Sequence, residues 1–137
     1  MSKKIKPQLR RCLQLLFAEK KFYLVNSFLF FNEHIAFNFL SFENIIKRVK
    51  KVNLSKHLNL EPLRLVRLSN KLLDFYKIKS CFLRSIIIYR VLKNNGISSK
   101  LHIGVKKNKE LEAHAWIELE GKFLDSDNGY QTFTVIE

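Results

Sequence analysis

A change of hydrophobic rhythm at Gly96 constrains this chain more than any other feature of its sequence. Before Gly96, apolar residues return every three or four positions, the period of a helix. After it they alternate, the period of a strand. KLHIGV (100–105) puts Leu101, Ile103 and Val105 on one side, and ELEAHAWIELE (110–120) puts Leu111, Ala113, Ala115, Ile117 and Leu119 on one side. Glu120-Gly121 suits a tight turn, KFLDSD (122–127) is the returning strand, and FTVI (133–136) is a last short run. The fold class that follows is α+β, a helical N-terminal half followed by a small antiparallel β-sheet.

The helical half predicts five segments. PQLRRCLQLLFAE (7–19) carries Leu9, Cys12, Leu13, Leu16 and Phe17 at helical spacing, and Pro7 fits a first turn. Cys12 lies on that apolar stripe and reads as core filling. A second helix covers 21–38. A third covers 41–52, with Ser41 as its cap and Phe42, Ile45, Ile46 and Val49 on one face. NLSKHLNLEP (53–62) is a connection, and a fourth helix runs over about 61–76 from Pro62. KIKS (77–80) then turns the chain into a fifth helix, 81–95, which Gly96 closes. With 137 residues, 47% of them hydrophobic, and only 4 glycines and 2 prolines, the chain suits one domain, residues 1–137. Residues 1–60 act as helical support and 61–137 form the core of that domain.

Several classes are disfavoured. The most hydrophobic stretch, FYLVNSFLFFNEHIAFNFL (22–40), is interrupted by Asn26, Asn32, Glu33, His34 and Asn38. It reads as a core helix and not a transmembrane segment, with an interfacial helix as the alternative. No apolar core of a signal peptide follows Lys3, Lys4 and Lys6. The net charge of +13 suits nucleic acid, an anionic membrane surface or an acidic peptide. Neither a zinc knuckle nor the aromatic-basic signature of an RNA-recognition module accompanies it, so no nucleic acid is assigned as a partner. Cys12 and Cys81 are far apart, with neither metal-ligand nor CxxC spacing. No metal and no cofactor are expected, and a reducing cytoplasm fits a free thiol at Cys81.

The position of Cys81 carries chemistry. Ser80 as N-cap puts Cys81 in the first turn of its helix, beside unpaired amides and the positive end of the dipole. Helix N-termini and neighbouring imidazolium groups favour the thiolate, the form that attacks a carbonyl. A base must stand beside the sulfur. Of the four histidines, His34 lies in an apolar helix, His57 in a connection and His102 on a strand, where it is a spare candidate. His114 stands out because it shares a strand face with Trp116 and precedes a hairpin that ends in two aspartates. A two-residue turn at Glu120-Gly121 pairs Leu119 with Lys122, Trp116 with Asp125 and His114 with Asp127. Asp125 is then diagonal to His114 and Asp127 directly opposite. Either carboxylate can accept the imidazole N–H and orient the ring. Cysteine opening a helix, then histidine on a strand, then aspartate on the next strand, is the papain and transglutaminase order.

CFLRSIIIYRVLKNNGISSKLHIGV followed by AHAWIELEGKFLDS resembles the transglutaminase-like cysteine proteases of lasso-peptide biosynthesis. The matching positions are Cys81, Ser85, Tyr89, Leu92, Gly96, Ile103, Gly104, Val105, His114, Ala115, Trp116, Glu118 and Gly121. The resemblance covers about 81–136 and implies a papain/transglutaminase-like fold with 61–137 as the catalytic core. It implies a Cys-His-Asp triad of Cys81, His114 and Asp125. The hairpin is one residue shorter than is usual in that family, which keeps Asp127 as the alternative third member. The implied activity is removal of the leader from a ribosomally made lasso precursor peptide. The implied partners are that precursor, a separate small leader-recognition protein and an ATP-dependent macrolactam synthetase that closes the ring. With the front half expected to serve as helical support, no leader-binding domain is expected within these 137 residues. Two other readings stand beside this one: a transglutaminase-like acyltransferase that passes the acyl group to an amine, and a non-catalytic basic binding module.

Overall fold

The computed structural model describes residues 7–51, 58–107, 109–124 and 131–137. Helix α1 (Pro7–Phe39) is continuous. The expected break near residue 20 is absent because Ala18-Glu19-Lys20-Lys21 are all good helix formers, with no glycine, proline or capping side chain among them. Helix α2 (Phe42–Val49) begins as predicted, with the Ser41 hydroxyl accepting the Asn44 N–H at 3.4 Å. It ends before the expected limit of 52. Helix α3 (Pro62–Phe75) starts at its proline, and Lys77 turns the chain with φ 55°. Helix α4 (Cys81–Asn94) closes in a Schellman motif: Gly96 N–H donates to Lys93 O at 2.9 Å and Ile97 N–H to Leu92 O at 3.0 Å. Gly96 takes the left-handed φ of 70° that this closure requires.

Among the described residues four strands follow: β1 (Ser99–Lys107), β2 (Leu111–Leu119), β3 (Lys122–Phe123) and β4 (Gln131–Ile136). They form one antiparallel sheet in the order β3-β2-β1-β4. The β2–β3 hairpin has the predicted register, with Leu119 opposite Lys122 and Glu118 opposite Phe123. Glu120 at φ 52° and Gly121 at φ 76° make the two-residue turn with both central residues left-handed, which matches the strand twist. Of the expected strand 122–127, Lys122 and Phe123 are paired in β3 and Leu124 follows outside it. The Leu124 N–H still donates to Ile117 O at 2.9 Å, in step with the hairpin, and Asp125 and Asp127 lie outside the described residues.

One sheet face, with Leu101, Ile103, Ala115, Ile117, Leu119 and Ile136, is buried as the alternation requires. Helix α4 packs against β1 and β2 on one side and against α1 and α3 on the other. It is therefore apolar nearly all round, with Leu83, Ile86, Ile87, Tyr89, Val91 and Leu92 all buried. Phe22, Leu29 and Phe30 of α1 and Leu65, Leu68 and Leu73 of α3 complete the core. Glu33, an interruption in the sequence pattern, is a buried clamp. Its Oε1 accepts Arg48 Nε–H at 2.9 Å and an N–H of Arg90, joining α1, α2 and α4. Burial pushes the Arg90 guanidinium below its usual pKa, and the Glu33 carboxylate pulls it back up. Among the described residues, no helix is long and apolar enough to cross a membrane.

Candidate active site

Helix α4 begins where the sequence places it. Ser80 is the N-cap, and its hydroxyl accepts the Leu83 N–H at 3.3 Å. The Arg84 N–H donates to Ser80 O at 2.9 Å as the first helical bond. No helical carbonyl reaches the amides of Cys81 and Phe82, so this end of α4 can receive negative charge. Cys81 is a free, exposed thiol at that end.

His114 comes to it from β2. Its Nδ1 is 3.0 Å from Cys81 Sγ, although the two residues are 33 apart in sequence. The ring is buried, at 7% exposure, while the sulfur is open to solvent. Directly across the ladder on β1 is Gly104, which carries no side chain to crowd the ring. Trp116 stacks on His114 with centroids 5.9 Å apart and planes 22° apart, and the His102 ring lies on Trp116 at 5.7 Å and 11°. His102 is fixed in turn by Glu118, with Nε2 and Oε2 2.8 Å apart, and Phe123 meets it edge-on. An aromatic column thus runs along this face of β2 and holds the His114 ring in place. His102, the spare candidate, is a member of that column, and the ring that meets the sulfur is His114.

A single hydrogen bond shows how a helix end and a strand find each other. Strand β3 covers β2 only as far as Ile117 among the described residues. Beyond it, the Ser85 hydroxyl donates to the Ala115 carbonyl at 2.8 Å. Ser85 is one helical turn after Cys81, and Ala115 is the residue after His114. The bond therefore sets the lateral register of α4 on β2. In the sequence Ser85 stands out only as part of a motif. Its spacing of four from Cys81 is the signal, because it puts both residues on one side of the helix.

A cavity of about 210 Å³ opens beside Cys81. Val66, Ile88, Ile117 and Leu124 give it an apolar wall, and Asn70 and Arg84 a polar one. The Arg84 guanidinium is held by Asp74 at 2.9 Å, by the Ile78 carbonyl at 2.9 Å and by Asn70 at 3.0 Å. The polar wall is thus ordered before anything enters.

Of the other sequence candidates, His34 is exposed on α1, and His57 lies outside the described residues, as do Asp125 and Asp127. Cys12 is in α1, with its side chain outside the description. Among the described residues, no group of three His, Cys, Asp or Glu side chains is arranged to hold a metal ion.

An exposed sulfur at a helix N-terminus, 3.0 Å from a ring nitrogen locked by its neighbours, can perform nucleophilic acyl chemistry. No curated protein and no solved structure gave a match. The model of one family, described as the transglutaminase-like superfamily, matches residues 44–137. That superfamily includes cysteine proteases and acyltransferases. The match takes in α2 from its first turn, α3, α4 and the whole sheet, including both members of the thiol–imidazole pair, and the chain belongs to the transglutaminase-like superfamily.

Proposed function

We propose that this protein is a cysteine peptidase that removes the leader from a ribosomally made lasso-peptide precursor. The observation that carries the reading is the 3.0 Å approach of His114 Nδ1 to Cys81 Sγ at the start of α4. His114 takes the thiol proton as the sulfur attacks the carbonyl carbon at the leader–core junction. The backbone N–H of Cys81, free of any helical carbonyl, donates to the developing oxyanion. As the tetrahedral intermediate collapses, His114 gives its proton to the departing core amine, and the leader remains as a thioester. Water, deprotonated by His114, then attacks the thioester, and the proton returns to the leaving sulfur. The cavity beside Cys81 receives a substrate side chain next to the scissile bond.

Because Nδ1 faces the sulfur, an orienting carboxylate must meet Nε2. We assign that role to Asp125, with Asp127 as the alternative, since the hairpin register extrapolates Trp116 to Asp125 and His114 to Asp127. The chain acts as a single domain, residues 1–137, with 1–60 supporting a catalytic core in 61–137. It works in the cytoplasm with a separate leader-recognition protein and ahead of the macrolactam synthetase.

The experiment is mass spectrometry of a lasso precursor incubated with this protein and the leader-recognition protein, with and without an added amine. Free leader carboxylate is the expected product, and Cys81→Ala abolishes it while circular dichroism shows an unchanged fold. Cleavage by Cys81→Ala would refute the assignment. A leader–amine adduct as the main product would reassign the protein as an acyltransferase.

A further inference from the structure

Helix α1 has two apolar faces, and the core uses only one. Phe22, Asn26, Leu29 and Glu33 point inward and are buried. On the opposite side Phe17, Leu24, Phe28, Phe31 and Ile35 are exposed, at 70%, 81%, 68%, 54% and 40%. At about 100° per residue these five fall within an arc of roughly 60° and run roughly 27 Å along the helix. A row of exposed aromatic and aliphatic side chains of this length marks a surface that is covered when the protein works.

The charge around the row says by what. Lys20 and Lys21 are exposed and fall on either border of the same arc. Within α1, residues 7–21 contain four cations, Arg10, Arg11, Lys20 and Lys21, against one acid, Glu19. Glu19 is engaged by Arg64 at 2.7 Å. A second copy of this chain would bring another +13 to the contact. An anionic lipid surface answers both features at once, with headgroups for the cations and an acyl boundary for the phenylalanines.

We propose that the outward face of α1 rests on an anionic bilayer, with Phe17, Leu24, Phe28, Phe31 and Ile35 at the acyl boundary and Lys20 and Lys21 among the headgroups. The helix lies in the plane of the surface, since its other face is committed to the core.

The test is co-sedimentation of the full chain with vesicles of phosphatidylcholine alone and of an equimolar phosphatidylglycerol–phosphatidylcholine mixture. The protein pellets with the anionic vesicles and not with the neutral ones. The double variant Phe28→Ser, Phe31→Ser binds about tenfold more weakly or worse. Lys20→Gln with Lys21→Gln weakens binding less, and added salt weakens that of the wild type. As a gain-of-signal check, the added indole fluorescence of Phe28→Trp is quenched by brominated lipid in the anionic vesicles. Absence of anionic-vesicle binding, an undiminished Phe28/Phe31 variant, or no quenching of the indole introduced by Phe28→Trp would overturn the proposal. So would a wild-type dimer in light scattering that the Phe28/Phe31 variant dissociates, which would make a second copy the occupant.

Discussion

The Ser85 hydroxyl is bonded to the Ala115 carbonyl at 2.8 Å, one turn beyond Cys81 on α4 and one residue beyond His114 on β2. This contact and the 3.0 Å approach of sulfur to imidazole are successive rungs between the same two elements. Removing the Ser85 rung lets α4 slide on β2. Ser85→Ala is expected to lower the alkylation rate of Cys81 by iodoacetamide about tenfold or more, because small misplacements of reacting groups are costly. It should cost only about 1 kcal/mol of stability, one neutral hydrogen bond. Ser85→Thr, which keeps the hydroxyl, should recover most of the rate. Alkylation and thermal unfolding on the same samples separate the two effects.

Glu33 is a sharper test of stability. Glu33→Ala leaves the Arg90 guanidinium buried without its carboxylate and takes a partner from Arg48. A loss of about 3–5 kcal/mol is expected from urea unfolding. Changing an exposed ion pair such as Glu43–Lys47, one turn of α2, should cost under about 0.5 kcal/mol by the same assay.

Tyr89 sets an alkaline limit. It is fully buried, and among the described residues its hydroxyl has no hydrogen-bond partner. Burial first, and then the Glu137 charge, push its pKa up to about 12. The folded state therefore binds the proton more tightly than the unfolded chain, whose tyrosine titrates near 10.0. Stability from this group is whole below that value and falls as pH climbs toward the folded value. Tyr89→Phe should remove this part of the alkaline loss, and at neutral pH it should be neutral or mildly stabilising. Urea unfolding of both proteins at neutral pH and near pH 11 measures the difference.

Gly121 carries the hairpin turn at φ 76°, and a Cβ there would meet nothing within 4 Å. Any penalty for Gly121→Ala is then backbone strain, about 1 kcal/mol, seen as a drop of several degrees in Tm. A loss of several kcal/mol would contradict backbone strain as the whole cost.

Much of the arrangement could be read from residues alone. Ser41, Ser80 and Gly96 mark helix ends by chemistry confined to a few neighbouring residues, and all three end helices as read. The β2–β3 register follows from Glu120-Gly121 because a two-residue turn leaves one pairing. Continuity of α1 was less legible, since an apolar pattern that shifts face near residue 20 looks like a break when only one face is expected to be buried. The Glu33 clamp was invisible because its partners are 15 and 57 residues away. The aromatic column was hidden for the same reason: His102 and Trp116 are neighbours only across the β1–β2 ladder. Cys81 and His114 were legible as residue types in order, whereas their contact depends on where Ser85 docks.

Whether His114 activates Cys81 is measured by the rate at which iodoacetamide alkylates Cys81 near neutral pH, followed by peptide mass spectrometry in the wild type and in His114→Ala. The imidazole 3.0 Å from the sulfur should make wild-type Cys81 react at least about tenfold faster than Cys81 in the variant, with both proteins folded. Equal rates in the two proteins would contradict a working Cys81–His114 pair.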